Sequence, residues 1–129
     1  MADYTLTNLK DVEDSALKFG LSPNLEARFA RELGLENSAI SYQRLAPGFR
    51  APFGHKHAEQ EELYVILSGE GRLKLDDEVV DVRRWDAVRV PKETMRNFEA
   101  GPEGLELLAF GAPNTGPQDA QTTPGWWTD

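Results

Sequence analysis

Turn residues interrupt the short apolar segments of this chain at regular intervals, which limits the folds that it can adopt. The 129 residues include 11 glycines and 8 prolines, and almost no segment keeps a long helical period. From residue 39 onwards, strand-like segments alternate with turn signals about every 8–12 residues: 39–45, 63–67, 72–75, 79–82, 86–90, 95–99 and 105–110. This pattern is typical of a β-sandwich, a jelly roll or a small barrel. We therefore predict an all-β chain with few helices.

The first third of the chain gives a weaker signal. Residues 4–9 fit either a first strand or an extended arm. Leu25, Phe29 and Leu33 recur at helical spacing, whereas Leu25, Ala27 and Phe29 alternate as in a strand. We favour a strand for this segment.

Composition divides the chain into three predicted regions. Residues 1–34 form an N-terminal arm and lead-in segment, and residues 35–111 form the barrel core. Residues 112–129 are rich in Pro, Gly, Gln and Thr and end near Trp126 and Trp127. Because burial of indole rings is strongly favourable, we expect this tail to pack on the barrel or on a partner subunit.

Charge and cysteine content exclude several classes of function. The net charge of −8, from 22 acidic and 14 basic residues, disfavours binding to nucleic acids and to anionic membranes. The absence of cysteine excludes disulfides, thiolate metal sites and cysteine nucleophiles. No apolar run approaches the roughly 20 residues that span a bilayer, and the N-terminus lacks the features of a signal peptide. We expect a cytoplasmic protein.

The two histidines of the chain suggest a metal site. His55 and His57 lie two residues apart, so on an extended segment both side chains point to the same face. Glu62 follows at the start of the apolar segment 63–67. Two imidazoles and one carboxylate form a donor set that suits Fe²⁺ and similar divalent ions. The alternative is a polar surface loop in which the histidine pair arises by chance.

The segment around these residues resembles the first motif of the cupin superfamily, G-x5-H-x-H-x3,4-E-x6-G. His55, His57, Glu62 and Gly69 match the motif, and Gly48 lies one residue further upstream than usual. The resemblance implies a double-stranded β-helix, or jelly-roll barrel. It also implies that the two histidines and the glutamate bind a divalent metal (Fe, Mn, Ni or Zn), and that the chain forms a homodimer.

The second cupin motif, G-x5-P-x-G-x2-H-x3-N, aligns with residues 85–100 and is degenerate. Pro91 matches, and four positions depart from the motif: Trp85, Glu93, Arg96 and Ala100. Arg96 stands where the family has its third metal-binding histidine. A guanidinium has no free acceptor for a cation, but its fork of donors grips a carboxylate or phosphate.

The direction of Arg96 leaves three hypotheses open. In the first, a metal-dependent enzyme of oxygenase or isomerase type acts on a small anionic or hydroxylated substrate anchored by Arg96. In the second, a metal-free, non-enzymatic module binds or senses an anionic metabolite through Arg96. In the third, Arg96 points to solvent. Tyr42, Gln43 and Tyr64 are further candidate ligand-binding residues.

Overall fold

Antiparallel strands dominate the computed structural model, which describes residues 2–113 and 119–129. The eight strands are β1 (Leu25–Phe29), β2 (Ala39–Leu45), β3 (Phe53–His57), β4 (Glu62–Leu75), β5 (Glu78–Arg83), β6 (Ala87–Val90), β7 (Arg96–Gly111) and β8 (Ala120–Pro124). The helical segments are short 3-10 helices at Leu9–Asp11, Ser15–Phe19 and Arg31–Leu33. The predicted all-β jelly-roll fold is confirmed. Among the described residues, no helix has the length and apolarity needed to cross a membrane.

The sheet is organised around its two longest strands. Its main path runs β1-β2-β7-β3-β8, and β4 pairs with β5, β6 and β7. Strand β7 therefore contacts β2, β3 and β4, and this brings both cupin motifs to one end of the curled sheet. The direct pairing of His55 with Arg96 joins the first motif to the second.

The sequence pattern predicts a turn between residues 67 and 72 and another between residues 99 and 105, but a single strand continues through each of these segments. Residues 63–67 and 72–75 belong to one strand, β4, whose pairing with β7 shifts register between Gly69 and Gly71. Gly69 has a φ of 78°, and a Cβ there would lie 2.1 Å from the carbonyl oxygen of Gly104. The glycines therefore allow an irregularity inside a continuous strand, as in a β-bulge. Residues 95–99 and 105–110 likewise merge into β7.

The hydrophobic core consists mainly of side chains from β4 and β7, with further contributions from β2, β5 and β6. Its most enclosed members are large aliphatic and aromatic side chains: Leu45, Tyr64, Ile66, Leu73, Leu105 and Leu107. The rings of Tyr64 and Phe98 meet edge to face at a centroid distance of 5.0 Å. Each fully buried side chain of this size contributes about 1.5–3 kcal/mol. The core fixes β4, and with it the position of Glu62 at the start of that strand.

The lead-in segment folds onto the barrel. Residues 25–29 form the favoured strand, and β1 pairs with β2 along its whole length. Residues 31–33 form a 3-10 helix instead of continuing either pattern, and residues 4–9 contain no strand. Asp14 Oδ1 accepts hydrogen bonds from the backbone of Ala16 and Ala27, at 3.0 and 2.9 Å. These bonds hold the segment before β1 against the sheet.

The C-terminal residues pack on β3 and its neighbours. Trp127 is buried, and the guanidinium of Arg50 lies 4.2 Å from the centroid of its ring. The ring of Trp126 covers Gly54, where a Cβ would come within 2.6 Å of it. β8 pairs with all five residues of β3, from Phe53 to His57. The tail thus supports the strand that carries both histidines.

Candidate metal centre

The two histidines and Glu62 converge as their spacing predicts. His55 and His57 project from the same face of β3, with ring centroids 5.1 Å apart and planes nearly perpendicular. His55 Nε2 lies 3.4 Å and His57 Nε2 3.0 Å from the same atom, Glu62 Oε1. One ligand atom from each residue lies within 4.8 Å of the other two.

These distances suit a divalent ion. Two ligands that bind an ion at about 2.1 Å and subtend about 90–110° lie about 3.0–3.4 Å apart. The separations between the two imidazole nitrogens and Glu62 Oε1 fall in that range. Imidazole and carboxylate ligands suit iron, manganese, nickel and zinc. The residues present therefore fit the metal that the cupin motif implies.

A buried carboxylate orients His57. Asp119 Oδ2 lies 2.8 Å from His57 Nδ1, and Asp119 Oδ1 accepts a hydrogen bond from the backbone of Glu59 at 2.8 Å. When Nδ1 carries a proton, it donates to Asp119, and Nε2 is directed towards Glu62. Metal-binding histidines commonly donate from their other ring nitrogen to a carboxylate in this way. Burial lowers the pKa of His57, but hydrogen bonds to Glu62 and Asp119 outweigh it and raise that pKa above 6.5. A metal at Nε2 would have to displace a proton.

Glu62 is ionised, and only one of its two carboxylate oxygens accepts hydrogen bonds from the described residues. Burial raises its pKa, but hydrogen bonds from His55, His57 and Tyr64 outweigh burial and hold that pKa well below its usual range. The Tyr64 hydroxyl donates to Glu62 Oε1 at 2.5 Å, so every described hydrogen bond ends on Oε1. No residue in the described ranges donates to Oε2. Burial also lowers the pKa of His55, which keeps that imidazole neutral.

Arg96 points inward and is fully enclosed. Its Nη2 donates to the backbone carbonyls of Pro91 at 2.9 Å and Val90 at 3.4 Å, and its Nη1 lies 3.8 Å from Glu62 Oε1. Its Nε and Nη1 have no hydrogen-bond partner within the described residues. The solvent-facing alternative for Arg96 is therefore wrong. The guanidinium stands behind Glu62 as a fixed countercharge.

A cavity of about 500 Å³ adjoins the three converging residues. His55, His57 and Glu62 line it together with residues of β1, β2 and β8. Two depressions of similar volume near Glu70 and Arg83 contain neither histidine. The candidate metal centre therefore adjoins the cavity beside β3 and neither of the two depressions.

The four predicted ligand-binding residues occupy different places. Gln43 lines the cavity, whereas Arg96 and Tyr64 lie behind Glu62 and do not. Tyr42 points to the other face of β2, where its hydroxyl donates to Glu106 and Lys10 lies 4.7 Å from its ring centroid. Neighbouring strand residues face opposite sides, so Tyr42 and Gln43 cannot both meet the same ligand.

Asp119 is a functional residue that sequence reasoning missed. The carboxylate lies 62 residues beyond His57, in a polar region that resembles a loop. Strand β8, which follows it, consists of Ala-Gln-Thr-Thr-Pro and is exposed throughout. Such a strand has no apolar alternation from which it could be recognised.

Comparison with known proteins identifies the family. A model of the cupin domain matches residues 41–111, more than half of the chain, and the chain therefore belongs to the cupin family. An uncharacterized protein of Methanocaldococcus jannaschii is 34% identical over 68 residues, which cover 52% of this chain and 54% of that protein. The matched part thus spans about half the length of this curated relative.

Solved structures share the fold over most of the chain. A cupin protein of Bacteroides fragilis is 22% identical with a TM-score of 0.70, covering 100% of this chain and 99% of that one. A variant of Streptomyces Pac13 with uridine is 18% identical with a TM-score of 0.73, covering 96% and 93%. Oxalate decarboxylase of Bacillus subtilis is 25% identical with a TM-score of 0.73, covering 91% of this chain and 32% of that one.

Proposed function

We propose that this cupin holds one divalent metal ion through His55, His57 and Glu62, and that it acts as an enzyme on a small molecule in the adjoining cavity. The observation that carries the proposal is the convergence of two imidazole Nε2 atoms on one carboxylate oxygen. The orientation of His57 by the buried Asp119 supports it, because this pairing sets the tautomer that metal binding requires.

The chain supplies the surroundings that such a site needs. When bound, a divalent ion offers a Lewis acid that polarises an oxygen atom of a substrate. Tyr64 donates to Glu62 and fixes the carboxylate, while Asp119 fixes His57. Glu62 Oε2 has no described hydrogen-bond donor, and Glu62 lines the cavity. Substrates with a hydroxyl, carbonyl or carboxylate oxygen suit this arrangement, and oxygenation or isomerisation is the expected type of reaction.

Arg96 sets a limit on the affinity for metal. It occupies the position of the third histidine ligand of the family, and its positive charge lies 3.8 Å from Glu62 Oε1. That charge repels a cation bound to the same carboxylate, although it also offsets the cost of burying Glu62 as an anion. We therefore expect weaker metal binding than a site with a third imidazole would give.

One observation favours a second function, metal-free binding of a small molecule. His55, His57 and Tyr64 make hydrogen bonds to Glu62, and Arg96 balances its charge, so side chains of this chain alone satisfy the carboxylate. In this second proposal the cavity binds a metabolite without turnover. Because Arg96 is enclosed behind Glu62, an anionic ligand would need another cationic partner.

Metal uptake by the untagged protein separates the two proposals. After treatment with a chelator and dialysis, Fe²⁺, Mn²⁺, Ni²⁺ and Zn²⁺ are added back one at a time and the retained metal is measured by elemental analysis. We expect the wild-type protein to retain close to one ion per chain for at least one metal. The His55→Ala and His57→Ala variants should not retain that ion. Lys56→Ala is the matched control, because its side chain projects from the other face of β3.

Two other outcomes of this experiment would contradict the metal proposal. Retention of the ion in both histidine variants would assign the metal to another site. Failure of the wild-type protein to retain any of the four metals would remove the metal proposal and leave metal-free binding.

A further inference from the structure

Much of the cavity wall comes from residues that precede the matched cupin region. Residues 15–40 lie before the match at 41–111 and contribute most of the apolar lining: Leu21, Leu25, Ala27, Phe29, Leu35 and Ile40. A cavity of about 500 Å³ with such a lining is within the usual range for small-molecule sites. The apolar wall favours a ligand with an apolar body, because burial of apolar surface drives binding.

One cationic side chain lies at the opening of this cavity. Arg31 lines the cavity and is also exposed, as are Phe29 at 39% and Leu35 at 48%. These three residues therefore lie at the rim. The guanidinium carbon of Arg31 lies 5.6 Å from the centroid of the Phe29 ring. The rim thus combines an apolar surface with a positive charge.

Arg31 has no acidic partner within the described part of the chain. Arg28 and Arg44, on the strands that flank it, both form ion pairs with Glu26. Arg31 forms no ion pair with any described carboxylate, although the chain carries 22 acidic residues. It is also the one lysine or arginine among the described residues that line the cavity.

We infer that the cavity binds a small molecule with an apolar body and one carboxylate, and that Arg31 binds the carboxylate at the rim. The guanidinium fork matches a carboxylate in bidentate geometry, and a single guanidinium matches its single charge. This inference rests on the proposed function in that the ligand's inner end would meet His55, His57 and Glu62. It adds the substrate class and the residue that selects it.

A matched pair of probes tests the inference. 4-Phenylbutyrate and 4-phenyl-1-butanol share the same skeleton and differ in charge. Their dissociation constants are measured by calorimetry or ligand-observed NMR on the full chain, in buffer with chelator. We expect the carboxylate to bind more tightly than the alcohol. Arg31→Gln should weaken binding of the carboxylate about 2–5-fold and leave the alcohol unchanged.

Two further variants control for a general effect of losing an exposed arginine and for binding of the probes outside the cavity. Arg84→Gln removes another exposed arginine, which does not line the cavity, and should change neither dissociation constant. Ala39→Phe narrows the cavity and should weaken both probes at least about tenfold, as expected when packed side chains fill a site. If Ala39→Phe does not fold, Ala27→Leu serves the same purpose on the neighbouring strand.

The outcomes separate this inference from the metal proposal. Probe binding that depends on Arg31 in metal-free protein supports the inference whether or not the chain takes up an ion. Equal effects of Arg31→Gln on both probes, or no binding of either probe at millimolar concentration, would overturn it. Stoichiometric metal uptake would still stand in that case.

Discussion

Glu26 on β1 is buried and Glu62 on β4 is half-buried, and the two carboxylates differ in how their oxygen atoms are used. Both are ionised because hydrogen bonds from cationic or polar partners outweigh the effect of burial on the pKa. Glu26 uses both oxygens. Its Oε1 accepts from Arg44 at 3.1 Å, and its Oε2 accepts from Lys10 at 2.6 Å and Arg28 at 2.5 Å. Every described hydrogen bond to Glu62 ends on one oxygen.

The side chains that pair with Glu26 also differ in kind from those that pair with Glu62. Those of Glu26 are long, permanently charged side chains that reach in from the surface, and they tie the lead-in segment to β1 and β2. Those of Glu62 are two imidazoles, a phenol and an enclosed guanidinium, all held by the barrel. An ionised carboxylate inside the fold therefore indicates function only when its partners leave one of its oxygens free beside a cavity. Glu26 is structural, and Glu62 carries the proposed site.

The largest expected difference is in metal affinity. Glu62→Gln removes an anionic ligand and should weaken binding of the retained ion at least about 100-fold, beyond the loss typical for residues behind the ligands. Glu26→Gln, the matched control, should stay within about twofold. Titration calorimetry of both variants with the same ion measures the contrast. Equal losses would mean that the metal does not depend on Glu62.

Asp119→Asn should have the next largest effect. An amide at this position no longer stabilises the tautomer and orientation of His57, so we expect about 10–100-fold weaker metal binding. The metal-free variant should keep a free energy of unfolding within about 1–2 kcal/mol of the wild type, because the backbone contact to Glu59 can persist. Unchanged metal affinity would show that Asp119 does not position His57 for a metal.

Arg96→His tests why this site differs from the family motif. The substitution restores an imidazole opposite His55 and removes a positive charge near Glu62. We expect metal binding to become at least about tenfold tighter, since both changes favour a cation. Calorimetry against the wild type measures the gain. Weaker binding would indicate that Arg96 supports the site instead of opposing the ion.

The smallest effect concerns the stability that Glu26 provides. Its pKa is lowered from 4.5 to about 2 in the folded protein. The stabilisation is therefore complete above about pH 4.5 and is lost as the pH falls towards 2. Glu26→Gln should cost about 1 kcal/mol at pH 7, since its partners are partly exposed. Chemical denaturation of both proteins should show this gap closing in acid, and a constant gap would contradict it.

The sequence predicted the parts of the site that lie close together along the chain. His55, His57 and Glu62 fall within eight residues, and an extended strand is enough to bring the two histidines to one face. Asp119 and Arg96 depend on pairing between distant strands, which no local pattern encodes. The direction of Arg96 and the role of Asp119 therefore required the structure.

The same limit applies to the fold. Strand character and fold class follow from alternation and turn residues, which are local. The sequence divided β4 at Gly69 because glycine marks turns and bulges alike, and only pairing with β7 distinguishes them. Tyr42 and Gln43 were both assigned to the ligand because the sequence did not say which face of β2 lines the cavity.

Anomalous diffraction from crystals of the reconstituted protein, collected at the absorption edge of the metal that it retains, tests the metal site most directly. We expect one strong peak per chain about 2.0–2.2 Å from His55 Nε2, His57 Nε2 and a carboxylate oxygen of Glu62. A peak bound only by surface carboxylates, or no peak beside β3 in crystals soaked with that ion, would contradict this expectation.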